Sequence, residues 1–138
     1  MNRSDAGNAS LEFIGVAVIL MIPLVYGIIG LSQLQSAVFG VNGAAQMAAR
    51  AYANSDVDTT GRYAAWRSAY LAGRNHGLTI TSDQVSVTCD TANCLMPGAT
   101  VRVLIQTTAR VGVPPFNGNL PLRASNVFVM EPYRQAPA

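Results

Sequence analysis

The stretch that decides the fold is residues 13–31, FIGVAVILMIPLVYGIIGL, in which 19 consecutive residues carry no charged side chain. As an α-helix this stretch is about 28 Å long, close to the thickness of the hydrocarbon core of a bilayer. Pro23 removes one backbone hydrogen bond and is expected to kink or loosen that turn. We therefore predict a membrane-spanning helix.

The helical pattern continues through residues 32–53, and the first turn signal is NSDVDTTG at residues 54–61. A secretory signal peptide has a shorter apolar region of about 7–15 residues, followed closely by a cleavage site. A long retained helix over residues 8–53 is therefore favoured over a removed signal peptide. A secreted soluble domain is kept as an alternative.

The composition also favours a membrane protein. Half of the 138 residues are hydrophobic and 12% are charged, whereas soluble domains carry about 25% charged residues. Arg3 precedes the span and the next basic residue is Arg50, which predicts a cytoplasmic N-terminus and an extracytoplasmic domain after the span. The basic residues are scattered and the net charge is only +2, so no nucleic-acid partner is predicted.

The two cysteines, Cys89 and Cys94, lie in the short segment CDTANC. Together with His76, the single histidine, they supply at most three of the four ligands of a structural zinc site, so we predict no metal and no cofactor. The segment between the cysteines can turn back on itself, and a local disulfide is favoured over free thiols. A disulfide predicts an oxidising, extracytoplasmic environment.

Small residues recur every four positions beyond the span, which places them on one stripe of the long helix. Such a stripe lets another helix backbone approach closely. Two interpretations stay open: the stripe receives the small domain of the same chain, or it packs against helices of neighbouring subunits. The residues of this helix-packing stripe are Ser32, Ser36, Gly40, Ala44 and Ala48.

A second helix is predicted over residues 59–75, with Asp58 capping its N-terminus. Gly77 is expected to cap its C-terminus, and Leu78 to make the hydrophobic contact that accompanies such a cap. One face of this helix is aromatic, and we expect it to pack in the core of the domain rather than to bind a ligand. The residues of this aromatic face are Tyr63, Trp66, Tyr70 and Leu71.

Three segments have β character, and the middle one alternates between apolar and polar residues as a half-buried strand does. The segment GVPPFNGNLP at residues 112–121 is predicted to be an exposed loop, and residues 131–138 a loose tail. The sequence therefore predicts an α+β fold, in which a long transmembrane helix continues into a small domain, residues 54–138, with a second helix and a roughly three-stranded antiparallel sheet. The predicted strands are residues 84–89, 99–111 and 123–131.

The sequence contains no recognisable set of catalytic residues, and we predict that the protein is not an enzyme. His76 lies at a predicted helix end, where a solvated residue is expected. No serine or cysteine nucleophile has a recognisable setting, and no glycine-rich phosphate loop occurs. Four acids lie at turn or cap positions, where aspartate bonds to the backbone: Asp56, Asp58, Asp83 and Asp90.

An acid at the edge of the apolar run requires an explanation. Glu12 lies in GNASLEF, residues 7–13, five residues after Gly7, which ends the short polar leader MNRSDAG. An acid is favoured near a helix N-terminus by the macrodipole. However, the combination of leader, glycine, acid and long apolar helix resembles the class III signal of type IV pilin-like proteins.

The resemblance is narrowed by the far end of the helix, GAAQMAARAYA, and by the β segments VSVTC and LPLRASNVFVMEPYR. With them, essentially the whole chain resembles the TadE-like pilins of tight-adherence (Tad) systems, in their short actinobacterial form. The resemblance implies a minor pilin or pseudopilin in the cell membrane, incorporated into a pilus or its base. The implied partners are the membrane, a prepilin peptidase, other pilin subunits and the Tad inner-membrane platform.

The resemblance also implies roles for three residues. The peptidase would cut between Gly7 and Asn8 on the cytoplasmic side, and the apolar helix would be retained for assembly. Glu12, then the fifth residue, would pair with the N-terminal amine of a neighbouring subunit, because a buried carboxylate and a buried ammonium are each costly alone. The alternative is a permanently anchored single-pass protein with an extracytoplasmic binding domain, in which the acid is incidental.

Overall fold

The computed structural model describes residues 5–133, with side chains described from residue 8 onwards. Its three strands form one antiparallel sheet in the order β1-β2-β3, and the predicted α+β fold is confirmed. Residues 1–4 of the predicted leader, including Arg3, and residues 134–138 of the predicted tail lie outside the described residues. In chain order the elements are α1 (Asp5–Ala53), α2 (Asp58–Arg74), a short 3-10 turn (Ser82–Gln84), β1 (Val85–Cys89), β2 (Thr100–Val113) and β3 (Phe116–Val129).

Helix α1 is a single helix of 49 residues that continues through Pro23. It begins at Asp5 rather than at residue 8, and it ends where the sequence predicts. Its two halves differ in burial: large apolar side chains are exposed up to Leu31, whereas buried positions begin at Ala37 and continue to Tyr52. The C-terminal half of α1 is therefore part of the core, while most of the N-terminal half has no partner in the described chain.

Helices α1 and α2 pack as an antiparallel pair through small residues. Near one end, a Cβ atom on Gly40 would lie 2.5 Å from Cβ of His76. Near the other end, a Cβ atom on Gly61 would lie 3.0 Å from Cδ2 of Tyr52. Ala44 lies between these two contacts and is 0% exposed. The two backbones are thus close enough that this seam admits only small side chains along most of its length.

The predicted aromatic face of α2 is not the face that packs in the core. Tyr63 and Leu71 are 54% and 51% exposed, and Trp66 and Tyr70 are only partly buried. The prediction was wrong because it followed the spacing of the large side chains, whereas the close approach of α1 leaves room only for small ones. The buried residues of α2 are spaced four apart: Gly61, Ala65, Ala69 and Gly73.

The N-terminus of α2 also differs from the prediction. The residue in the cap position is Val57, which makes no side-chain hydrogen bond to the helix. Asp58 is instead the first helical residue, and its carboxylate accepts hydrogen bonds from other side chains. The predicted N-cap was wrong because those side chains compete with the backbone for the same oxygens.

The C-terminus of α2 follows the prediction. Gly77 has a positive φ of 72°, which glycine adopts without steric cost. Its N–H donates to the carbonyl of Arg74 at 3.1 Å, and the N–H of Leu78 donates to that of Gly73 at 3.0 Å. This is the Schellman arrangement, and Leu78 is buried beside it. The predicted role of Gly77 is confirmed.

Strand β2 is the central strand and alternates as predicted. Val101, Val103 and Ile105 are 0% exposed, and Arg102 between them is exposed. Strand β1 pairs with β2 only as far as Ile105, so the remainder of β2 has β3 as its neighbour on one side. The inner face of the sheet completes the core against the two helices.

Strands β2 and β3 form a hairpin that is longer than predicted. Val113 pairs with Phe116 around a turn at Pro114–Pro115, and pairing continues from there to the far end of both strands. Most of the predicted loop at residues 112–121 is therefore strand. The prediction was wrong because proline and glycine were interpreted as loop signals. Pro121 is tolerated since β3 is an edge strand, where a missing N–H need not remove a ladder hydrogen bond.

Candidate functional site

The first candidate site is the exposed apolar surface on the N-terminal half of α1. Its side chains are among the most exposed apolar groups in the protein, at 74% for Phe13 and 70% for Leu11 and Ile19. Within the described residues, one helix, Asn8–Ala53, is long and apolar enough to cross a membrane by length and composition. Such a continuous apolar surface is stabilised by lipid or by other apolar helices.

The predicted processing and assembly residues lie at the beginning of this surface. Gly7 and Asn8 are within the helical N-terminal end of α1. Glu12 follows about one turn later, is exposed, and stands between the exposed side chains of Leu11 and Phe13. Among the described residues, no hydrogen bond or ion pair to Glu12 is formed. A carboxylate therefore adjoins the apolar surface.

The residues of the predicted helix-packing stripe lie in two environments. Ser36 is exposed, and its hydroxyl lies 3.2 Å from Nδ1 of His76, which is itself exposed beyond the end of α2. Ser32 is also exposed. The C-terminal part of the stripe therefore packs against the small domain of the same chain, which was the first of the two interpretations. Three of its residues are buried on the α2 side of α1: Gly40, Ala44 and Ala48.

A polar cluster, absent from the sequence-based prediction, joins the end of α1, the start of α2 and β1. The Tyr52 hydroxyl donates to Oδ1 of Asp58 at 2.5 Å, and Nε of Arg62 donates to Oδ2 at 2.8 Å. Nη1 of Arg62 also donates to the carbonyl of Val87 at 3.0 Å. Three elements are thus held together by one carboxylate and one guanidinium.

The cluster changes the acidity of its members. The hydrogen bond from Tyr52, and to a lesser extent Arg62, holds the pKa of the Asp58 carboxyl below its usual value, although partial burial opposes this shift. Burial, together with the hydrogen bond to Asp58 and its negative charge, raises the pKa of Tyr52. The spacing of four between Asp58 and Arg62 is a sequence signal for a helical ion pair. The partner Tyr52 has no such signal, because it belongs to another helix.

The predicted disulfide between Cys89 and Cys94 is confirmed, with Cα atoms 5.3 Å apart. The loop that it closes borders the polar cluster, and together they line an open groove of about 500 Å³. Within the described residues, no three His, Cys, Asp or Glu side chains come close enough together to hold a metal ion. Asp58 and Arg62 at the groove wall are already bonded to each other.

The second candidate site is the tip of the β2–β3 hairpin, which reaches the apolar half of α1. Oε1 of Gln33 accepts a hydrogen bond from the N–H of Gly112 at 2.7 Å. The ring of Phe116 packs edge-on against that of Tyr26, with the ring centroids 6.2 Å apart. Phe116 is nevertheless 78% exposed. The hairpin tip and the predicted span thus form one apolar surface, a relation that the prediction of a loop did not anticipate.

Between the tip and the helix lies a groove of about 580 Å³, lined on the helix side by Ile22, Pro23 and Gly30 among others. The two candidate sites are therefore contiguous. No protein-family model, curated protein or solved structure matches this chain.

Proposed function

We propose that this protein is a minor pilin or pseudopilin of a Tad-type, type IV pilus-like system, inserted in the membrane by α1 and processed after Gly7. The observation that carries the proposal is the division of α1. One uninterrupted helix presents exposed apolar side chains up to Leu31 and then becomes part of the core of a small domain from Ala37 onwards.

This division supports an assembly role because each half of the helix has a different requirement. The C-terminal half is satisfied by α2 and the sheet. The N-terminal half buries apolar area only when it enters a bilayer or contacts other subunits. A subunit held first by lipid and then by neighbouring helices would satisfy this half in both states.

The surface for neighbouring helices is the N-terminal half of α1, because α2 occupies the C-terminal part of the small-residue stripe. Gly15, Gly27 and Gly30 have open space where a Cβ atom would be. Small residues on an apolar helix let a second backbone approach closely. Gly15 therefore offers a contact position to another subunit, whereas Gly27 and Gly30 line the groove beside the hairpin tip.

Glu12 supplies the polar element of the proposal. After cleavage between Gly7 and Asn8, Glu12 is the fifth residue of the mature chain and a new amine exists at Asn8. A carboxylate and an ammonium that enter an apolar environment together avoid most of the desolvation penalty that each meets alone, which is several kcal/mol per ion. The pair would fix the register between neighbouring helices.

Intact-mass measurement of the membrane-extracted protein tests the processing step. In cells with an active prepilin peptidase, we expect a mature chain that begins at Asn8, and Gly7→Leu is expected to keep the full-length mass because the cleavage position is blocked. The matched control is Gly15→Leu, which changes a glycine with open space in the same helix and should leave processing intact. A wild-type chain that still begins at Met1 under these conditions contradicts the processing claim.

A further inference from the structure

The tip of the β2–β3 hairpin lies at the level of the predicted membrane span. It contacts α1 at Tyr26 and borders Ile22 and Gly30. At 1.5 Å per residue, Tyr26 lies about 7.5 Å, and Ile22 about 13.5 Å, below Leu31, the end of the predicted span. If residues 13–31 span the bilayer, the tip lies below its outer surface.

The composition of the tip suits this level. Residues 111–122, VGVPPFNGNLPL, contain no charged side chain, and they are flanked by Arg110 on β2 and Arg123 on β3. Arg110 is three residues from Val113, which is about 10 Å along a strand. With the tip in the membrane interface, an arginine about 10 Å above it would reach the lipid phosphates.

The backbone of the tip also suits an environment with little water. The turn is formed by Pro114 and Pro115, which have no N–H groups to leave unpaired. Gly112 lies beyond the part of β2 that β1 covers, and its N–H is satisfied by the side chain of Gln33. Two features thus reduce the number of unbonded donors at the point where the hairpin meets the span.

The two faces of the tip limit the depth of insertion. Phe116 and Leu120 lie on the face that packs towards α1, whereas Asn117 and Asn119 lie on the opposite face, because neighbouring residues of a strand alternate. Amide side chains are tolerated among headgroups but not in the centre of the hydrocarbon core. The tip is therefore suited to the headgroup region and the upper acyl chains.

We propose that the hairpin tip, residues 111–120, inserts into the extracytoplasmic leaflet, with Phe116 in contact with lipid. The occupant of this surface is the bilayer itself, because the tip is continuous with the apolar surface of the span. This inference rests on the membrane insertion of α1 in the proposed function, but it does not depend on pilus assembly. It gives the small domain a second attachment to the membrane beside the helix.

Tryptophan quenching by lipid tests the proposal on the full chain reconstituted in phosphatidylcholine vesicles. Phe116→Trp adds a fluorophore at the tip, and the wild-type signal of Trp66, the only native tryptophan, is the baseline. With lipid brominated on the upper acyl chain, we expect a loss of most of the fluorescence that the new residue adds. Leu120 lies on the same face of β3 but farther from the turn, so Leu120→Trp should lose a smaller part of its fluorescence. It also provides an independent variant if Phe116→Trp does not fold.

Two controls separate the possible failures. Leu20 lies within the span and is 66% exposed. The fluorescence of Leu20→Trp should be quenched most by lipid that is brominated near the end of the acyl chain. If it is not, the membrane insertion of α1 is wrong. Val127→Trp lies at the far end of the same hairpin, where Val127 is 49% exposed, and should not be quenched.

The hairpin inference is overturned if residue 20 is quenched but residue 116 is not. It is also overturned if residues 116 and 127 are quenched equally, since the domain would then lie flat on the surface. Quenching at residue 116 that weakens as the protein-to-lipid ratio rises would assign the surface to a second copy of the chain instead.

Discussion

At the scale of single residues, the Tyr52–Asp58–Arg62 cluster joins α1, α2 and β1. Asp58 accepts from both partners across the break between α1 and α2, at the point where the chain reverses direction. Exposed ion pairs contribute little by themselves. Here the hydrogen bond from a Tyr52 side chain that is 0% exposed gives the carboxylate a defined position.

Tyr52→Phe is expected to lower the free energy of unfolding of the domain by about 1–2 kcal/mol, because the Asp58 carboxylate loses a hydrogen bond from a buried donor. Urea denaturation of the detergent-solubilised full chain, followed by Trp66 fluorescence, measures the change. Tyr63→Phe is the matched control, since the Tyr63 side chain is 54% exposed, and it should have little effect. Equal effects of the two substitutions would contradict the assigned role.

The same cluster predicts a dependence on pH. The pKa of Asp58 is lower in the folded chain than its ordinary value of 3.8, so its stabilisation is present above that pH and is lost as the pH falls towards the folded-state pKa. The pKa of Tyr52 is raised above 10.0, so its stabilisation is present below pH 10 and is lost as the pH rises further. In urea titrations at several pH values, Tyr52→Phe should flatten both limbs, and an unchanged profile would contradict this.

At the scale of elements, the seam between α1 and α2 is built from glycine and alanine. The side chains that sequence periodicity emphasises, Tyr63 and Trp66, pack against each other outside it, with ring centroids 5.5 Å apart. Sequence periodicity identifies a buried face by its hydrophobic residues, whereas the residues buried in this seam are determined by their small size. The second helix itself and its Gly77 cap could be predicted, because those depend on local sequence. The buried face could not, because it depends on the distance to α1.

Ala44→Leu is expected to destabilise the domain by about 1–3 kcal/mol, because the added atoms have no space in a seam where Ala44 is 0% exposed. Thermal unfolding of the full chain in detergent, monitored by circular dichroism, measures this. Gly43→Ala is the control on the same helix, where a Cβ atom would meet open space, and it should be neutral or stabilising. An unchanged midpoint for Ala44→Leu would show that the seam is looser than described.

The β2–β3 hairpin also depends on contacts between distant residues, which local sequence does not reveal. The prolines and glycines of residues 112–121 are turn formers in isolation, and only pairing with β2 turns most of this segment into strand. Its contact with Tyr26 joins residues that are 90 positions apart (116 minus 26). No local pattern contains that information. The Cys89–Cys94 disulfide, in contrast, follows from a short spacing and was predictable.

At the scale of the whole molecule, the central question is whether Glu12 acts within an assembly. Glu12→Ala is expected to leave the protein folded and in the membrane, but to reduce its recovery in sheared pili, because the amine of a neighbouring subunit loses its counter-charge. Immunoblots of the sheared and membrane fractions measure the ratio. Asp83→Ala, which removes an exposed acid of the small domain, is the control. Unchanged recovery of both variants would favour a permanently anchored protein without a pilus role.

The continuity of α1 has a mechanical consequence. No break separates the predicted span from the core, so the orientation of the domain depends on the direction of the span. From Leu31 to Ala53 the helix extends about 33 Å, and a tilt of about 20° would carry its upper end sideways by about 11 Å. Bilayer thickness and the crowding of adjacent helices would thereby set the position of the sheet and its two edge strands relative to the membrane, without any change inside the domain.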